Sequence, residues 1–253
     1  MKKRVTDTNL HSKVYRGGSE SPISKTECIE IGKPNCPASA GQDVSTRNAL
    51  RKEPMNVIIT GVGGQGNVLA SRVLAGMLVS AGYFVTIGET FGMSQRGGSV
   101  MSHLRISRDS VLSPQIPQGS ADIIVGLEPA EALRVLTRYG NPDVVALINS
   151  RVVYPIGVIT GELSYPPLAE IESTFKKLTA QSWLIDATVA AVELGNPILS
   201  NIIMIGALAK TAMLPISRRA FEKEITGNMT ADKCKINLRA FDAGAGMIKN
   251  IVD

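Results

Sequence analysis

The stretch MNVIITGVGGQG, residues 55–66, narrows the folds open to this chain more than any other feature. A short apolar run without polar alternation, Asn56–Thr60, reads as a strand buried on both faces. Glycines come after it at Gly61, Gly63 and Gly66, the spacing G-x-G-x-x-G. Beyond them Val68, Leu69, Val73, Leu74, Met77 and Leu78 recur at helical spacing, and Ala81-Gly82 closes the helix. The first glycine permits a sharp turn, the second lets a phosphate approach the backbone, and the third lets the helix pack on the strand. Exposed N–H groups at the helix start, helped by the helix dipole, then face an anion. Glu89, 23 residues after Gly66, stands near where a dinucleotide enzyme keeps its ribose-binding acid. Gly64 and Gln65 are not demanded by that pattern. The same glycines also suit a turn that only packs a helix on a sheet, and spacing alone does not separate the two.

The rest of the chain continues the alternation. Tyr83–Ile87 is the second expected strand, Gly88–Ser99 a polar loop and Val100–Ser107 a third strand. Asp122–Leu127 and Val144–Asn149 are further buried strands, and Pro129 starts a helix that runs to Tyr139. Leu168–Leu178 is an amphipathic helix and Trp183–Asp186 a late strand. Three helical stretches close the chain, Ile198–Met213, Ser217–Thr226 and Ala231–Ile251, with Gly244 and Gly246 weakening the last. Pro155–Pro167 carries no readable pattern. Such an order predicts a three-layer, Rossmann-like α/β fold with a mostly parallel sheet and right-handed crossovers. The most apolar stretch, Pro197–Pro215, is interrupted by Asn201, Lys210 and Thr211, so it reads as a buried helix rather than a membrane span.

Residues 1–54 differ in composition from the rest of the chain. They hold ten of the 27 Lys and Arg and six of the 22 Asp and Glu, a net of +4, which leaves +1 for residues 55–253. Only eight of these 54 residues are Leu, Ile, Val or Phe, too few to offset chain entropy by burial. The expected organisation is a disordered extension over 1–54 and one domain over 55–253, with Met55 as the start of the functional unit and a candidate native initiator. The basic runs do not exceed Lys2–Arg4, so no nucleic-acid arm is assigned, and no apolar segment suggests a secretory signal. Cys28 and Cys36 have no ligand partners at metal spacing and are given no role.

Three Cys and two His cannot build a four-thiolate iron–sulfur cluster, an all-thiolate zinc site or a disulfide framework. His103, alone in the folded part, reads as a hydrogen-bonded structural residue, and Cys234 as packing. No nucleophile–base set, paired carboxylate or metal cluster is visible, so no catalytic residue and no metal site is assigned. The second loop, ETFGMSQRGGSV at residues 89–100, comes after a strand at the sheet end where α/β proteins bind ligands. Arg96 there offers a planar fork for phosphate or carboxylate, and Gly97 and Gly98 admit close backbone approach.

Three ordered segments carry a family resemblance: NVIITGVGGQGNVLASRVLAGML, GETFGMSQRGGSVMSHLRIS and SPQIPQGSADIIVGLEPAEALR. Together with GNPILSNIIMIGAL they resemble the gamma subunit or domain of the 2-oxoacid:acceptor oxidoreductases, and most of all its indolepyruvate branch. The resemblance spans Met55 to about Lys249. It implies a small subunit of a cytoplasmic, heteromeric enzyme that converts arylpyruvates to acyl-CoA, carbon dioxide and reduced ferredoxin. It also implies that thiamine diphosphate and the [4Fe-4S] clusters reside on a large alpha subunit, through which ferredoxin is served. On this chain the matching motif positions are Gly61, Gly63, Gly64, Gln65 and Gly66, and then Met93, Gln95, Arg96, Gly97, Gly98 and Ser99. These are the candidate cofactor-binding residues. No cofactor is expected on this chain alone, and Gln95 and Arg96 are expected at the subunit interface or CoA phosphates, with Gly97-Gly98 allowing close approach. No catalytic side chain is carried over. Related gamma chains serve pyruvate, 2-oxoglutarate and branched 2-oxoacid enzymes. The rival readings are a free-standing NAD(P)-dependent oxidoreductase and an assembly module without a ligand. An apolar-rich closing region further predicts a surface that a partner covers.

Overall fold

A computed structural model of the chain describes residues 26–31, 50–91, 98–227 and 229–248. Its strands are β1 (Thr26–Ile31), β2 (Met55–Val62), β3 (Phe84–Phe91), β4 (Ser99–Ser107), β5 (Ile123–Gly126), β6 (Val145–Asn149) and β7 (Gln181–Ile185). The helices are α1 (Asn67–Ser80), α2 (Pro129–Tyr139), α3 (Ile156–Ile159), α4 (Leu168–Leu178), α5 (Ala187–Glu193), α6 (Ser200–Lys210), α7 (Arg218–Thr226) and α8 (Ala231–Met247). A 3₁₀ turn, Pro197–Leu199, leads into α6.

Among the described residues one seven-stranded sheet forms, in the order β1-β3-β4-β2-β5-β6-β7. The strands β2, β5, β6 and β7 pair in parallel. The pairings of β4 with β2, β3 with β4 and β1 with β3 are antiparallel. Thus β2, β3, β5, β6 and β7 run in one direction, while β1 and β4 run against them. The mostly parallel α/β sheet expected from the sequence is present, with an antiparallel β4 set between β2 and β3.

The side-chain period of a strand divides the core in two. Val57 and Ile59 face one layer, with Leu74 and Met77 of α1 and Ile202 and Ile205 of α6. Ile58 faces the other, with Leu133 and Leu136 of α2 and Ile171 and Phe175 of α4. That is why β2 reads as an uninterrupted apolar run: both its faces are covered. Outside α6 lies α8, and here glycine is required. A side chain at Gly206 would collide with the carbonyl of Phe241, and one at Gly244 with the carbonyl of Ile203. Gly244, which looks like a weakness in the helix pattern, permits the two backbones to touch. Phe221 of α7 stacks on Phe241 of α8 with ring centroids 4.6 Å apart.

The packed unit begins slightly ahead of Met55. Leu50 is buried in the core, Lys52 Nζ lies 2.7 Å from Asp122 Oδ1, and Glu53 pairs with Arg108 at 3.2 Å. Of the extension expected to be disordered, Thr26–Ile31 forms the edge strand β1, and residues 1–25 and 32–49 lie outside the described residues. Among the described residues no helix is long and apolar enough to cross a membrane.

Candidate functional site

The strand β2 ends in the glycine loop. Gly64 and Gly66 take φ of 101° and 82°, the left-handed region that favours glycine. Gly61 has no room for a side chain, because Gln65 Oε1 occupies that position. Gln65 folds back under the loop. Its Oε1 accepts from the Val62 N–H at 2.7 Å, and its Nε2 donates to the Leu127 carbonyl at 3.0 Å. Gly66, with αL geometry, starts α1 without a side-chain cap. Its carbonyl accepts from Asn201 Nδ2 of α6 at 3.2 Å, and a side chain at Gly66 would strike Asn201.

The second loop meets the first. Residues 92–97, and with them Met93, Gln95, Arg96 and Gly97, lie outside the described residues. Gly98 and Ser99 are described. The Gly63 N–H donates to the Gly98 carbonyl at 2.8 Å. Ser99 Oγ donates to Glu131 Oε2 of α2 at 2.7 Å and accepts from Arg134 Nη2, itself paired with Glu131. Gly61 to Gly66, Gly98 and Ser99 therefore converge at the carboxyl end of β2.

That end is a topological switch point. From β2 the chain passes to α1 on one face, and from β5 to α2 on the other. Crevices at such points bind ligands in open α/β sheets. A row of polar groups floors this one: Gln65 on Leu127, then Asn149 Nδ2 on Leu127 O at 3.1 Å and on Thr188 Oγ1 at 2.9 Å. Asn67, the first residue of α1, is buried with neither side-chain polar atom partnered among the described residues.

Glu128, just after β5, is the most strongly held acid of the site. It is buried, caps α2 by accepting from the Glu131 N–H at 2.8 Å, and accepts from Tyr165 Oη at 2.5 Å and the Val153 N–H at 3.4 Å. Burial pushes its carboxyl above the ordinary range, and these hydrogen bonds pull the other way. Glu128 thereby ties the 150–167 segment across the crevice. Sequence reasoning passed over Glu128, Asn149, Tyr165 and Asn67. The signals were an acid directly before the Pro that starts a helix, and an Asn closing an apolar strand.

Glu89 does not lie where the dinucleotide pattern would put it. β3 runs on to Phe91, so Glu89 sits inside the strand, buried, opposite Ser102 of β4. With β4 between β3 and β2, it hangs one strand further from the glycine loop than a ribose-binding acid does. His103 is a core residue. Its Nδ1 accepts from the Ile116 N–H at 3.3 Å, its ring stands edge-on to Tyr139, and burial, with Arg138 nearby, pushes it down to about 4. Cys234 Sγ contacts the Ile225 and Met229 carbonyls at 3.6 Å, as packing. Among the described residues no group of three or more His, Cys, Asp or Glu could hold a metal ion.

The mixed sheet, with the glycine loop and Gly98 meeting at one switch point, defines an α/β fold with a crevice at the carboxyl end of its parallel strands. The chain belongs to the pyruvate ferredoxin/flavodoxin oxidoreductase family, whose model matches residues 56–247. Within that family it is 37% identical over 199 residues to the indolepyruvate oxidoreductase subunit IorB of Pyrococcus horikoshii, covering 78% of this chain and 98% of that protein. Its fold matches the keto/oxoacid ferredoxin oxidoreductase gamma subunit of Geobacter sulfurreducens, with a TM-score of 0.57, 21% identity, and 78% and 97% of the two chains covered. It also matches the 2-oxoglutarate:ferredoxin oxidoreductase of Magnetococcus marinus, solved with 2-oxoglutarate, coenzyme A and succinyl-CoA. There the TM-score is 0.60 at 20% identity, and the match takes 78% of this chain but 31% of that longer one.

Proposed function

We propose that this chain is the small subunit of a cytoplasmic indolepyruvate (arylpyruvate):ferredoxin oxidoreductase. The observation that carries the reading is the 37% identity to an indolepyruvate oxidoreductase subunit over nearly that protein's whole length. In the reaction, an arylpyruvate and CoA give an arylacetyl-CoA, carbon dioxide, a proton and two electrons, and the electrons pass to ferredoxin. Thiamine diphosphate and the iron–sulfur clusters belong to a large partner subunit. This chain's three cysteines are too few for a four-thiolate cluster of its own.

Its own share is a wall of the crevice where CoA enters. The uncapped start of α1 beside Gly64 and Gly66 supports an anion contact there. Gly98 and Ser99 are fixed next to it, which supports Gln95, Arg96 and Gly97 as further phosphate contacts. The test is co-expression with the large subunit and an assay of arylpyruvate-dependent ferredoxin reduction. Arg96→Ala should raise the KM for CoA by roughly 10- to 100-fold, the value of a charge-assisted hydrogen bond of about 1.5–3 kcal/mol. An unchanged KM would remove the CoA contact. Oxidation of arylpyruvate by this chain alone would overturn the subunit reading.

A further inference from the structure

Among the described residues, large apolar side chains left in solvent are not spread evenly. Leu69 opens α1 directly after β2, and Ile198 lies against Gly66. Tyr154 and Ile159 sit in the segment after β6, and Val189 and Val192 on the helix after β7. All six surround the carboxyl end of the parallel strands. Among the described residues, the other end has only Val111, after β4, and Leu178, before β7.

The exposure is large where it matters: 57% for Tyr154, 73% for Ile159, 59% for Val189 and 58% for Val192. Tyr154, Val189 and Val192 line one shallow groove of about 550 Å³, together with Arg151 and Glu193. Leu69 and Ile198 line a second, of about 760 Å³, on the other side of the glycine loop. A helix turned outward on valines is unlike a solvated helix, which presents charge. The short α5 keeps Ala187 and Ala191 for the core, and still shows Val189 and Val192 to solvent.

We infer that this carboxyl-end face is the surface on which the chain docks to the large subunit, so that the crevice between β2 and β5 is closed by the partner. The inference rests on the reading of the chain as a small subunit. Two further observations favour that occupant over a second copy. The Pyrococcus relative is matched over 98% of its length and is itself named a subunit. In the Magnetococcus enzyme the same fold is 31% of one longer chain, built into the larger machine rather than free. A crevice floor of Gln65, Asn149 and Thr188, its amides already engaged, is a wall that needs a facing surface rather than a complete pocket.

The experiment uses the full chain co-expressed with the large subunit, with affinity measured by sedimentation or surface binding. V189E/V192E should weaken association by at least about tenfold, since two central apolar anchors are replaced by charge. Val111→Glu and Leu178→Glu, at the opposite end, should stay within about twofold of wild type. Both sets of positions are exposed, so circular dichroism of each free variant should match wild type. If V189E/V192E fails to fold, Ile159→Glu tests the same face. Wild-type association with undiminished binding by V189E/V192E, or by I159E in its place, would overturn this face while leaving the subunit reading intact. Failure of the wild-type chain to associate at all would overturn both.

Discussion

Glu128 shows how much one side chain can organise. Its carboxylate gathers the start of α2, Tyr165 and the Val153 N–H, and so fixes the segment that walls the crevice. Burial holds its proton more tightly in the folded chain than in the unfolded one. A raised carboxyl pKa means that the folded state binds more protons between the ordinary value of 4.5 and the raised one. Stability contributed by this group is therefore present below 4.5 and is lost as pH rises through that window. Glu128→Gln keeps an acceptor and removes the titration. Urea unfolding from pH 4 to 8 should show wild type losing stability relative to E128Q as pH rises, and a pH-independent difference would refute the assignment. The loop glycines were legible because glycine at a turn has a spacing signature. Glu128 was legible only as a cap, from its place directly before Pro129, because nothing in a sequence separates a cap inside a core from one that faces water. Gln65 is similar: it looks optional in the motif, yet its amide stitches β2 to β5.

At the scale of elements, those with an unambiguous period were legible. β2, β5 and β6 are apolar runs, and α2 and α4 carry one apolar face, so their limits fall within a few residues of expectation. α5 was missed because seven residues make too few turns to show a period. The extension of β3 through Glu89 and Thr90 was missed because polar residues there are drawn into the sheet by pairing with β4, a tertiary effect. The pairing direction of β4 was equally silent, since alternation fixes a strand but not its neighbour. The contact of α6 with α8 gives a sharp prediction. Gly244→Val would force a side chain into the Ile203 carbonyl and the Ala207 N–H. It should lower stability by about 1–3 kcal/mol, as overpacking does, and thermal unfolding would register the loss. Gly246, with open space around it, should accept alanine with no loss.

For the whole molecule, the order of strands argues against one ligand class that shares a glycine loop, the dinucleotides. A dinucleotide fold hangs its ribose acid from the strand next to the loop. Here β4 occupies that place, and the acid is sealed inside the sheet. Titration calorimetry with NAD should therefore give no saturable heat. A micromolar dissociation constant, with turnover by the chain alone, would restore the nicotinamide reading. The fold class could be read in advance from the alternation, and each loop from its motif, but not that the Gly63 N–H meets the Gly98 carbonyl. The coupling of those loops to α2 could not, because it depends on Ser99 meeting Glu131 and Arg134 across 32 and 35 positions of chain.

The helix α6 has no wet side over most of its length: Ser200 to Leu208 are buried without interruption between the sheet and α8. Such a rod gives selection nowhere to experiment. In a library of functional variants, this stretch should accept only exchanges among apolar residues of similar bulk. Asn201, pledged to Gly66, should be nearly invariant, and tolerated diversity should gather instead on the outer helices.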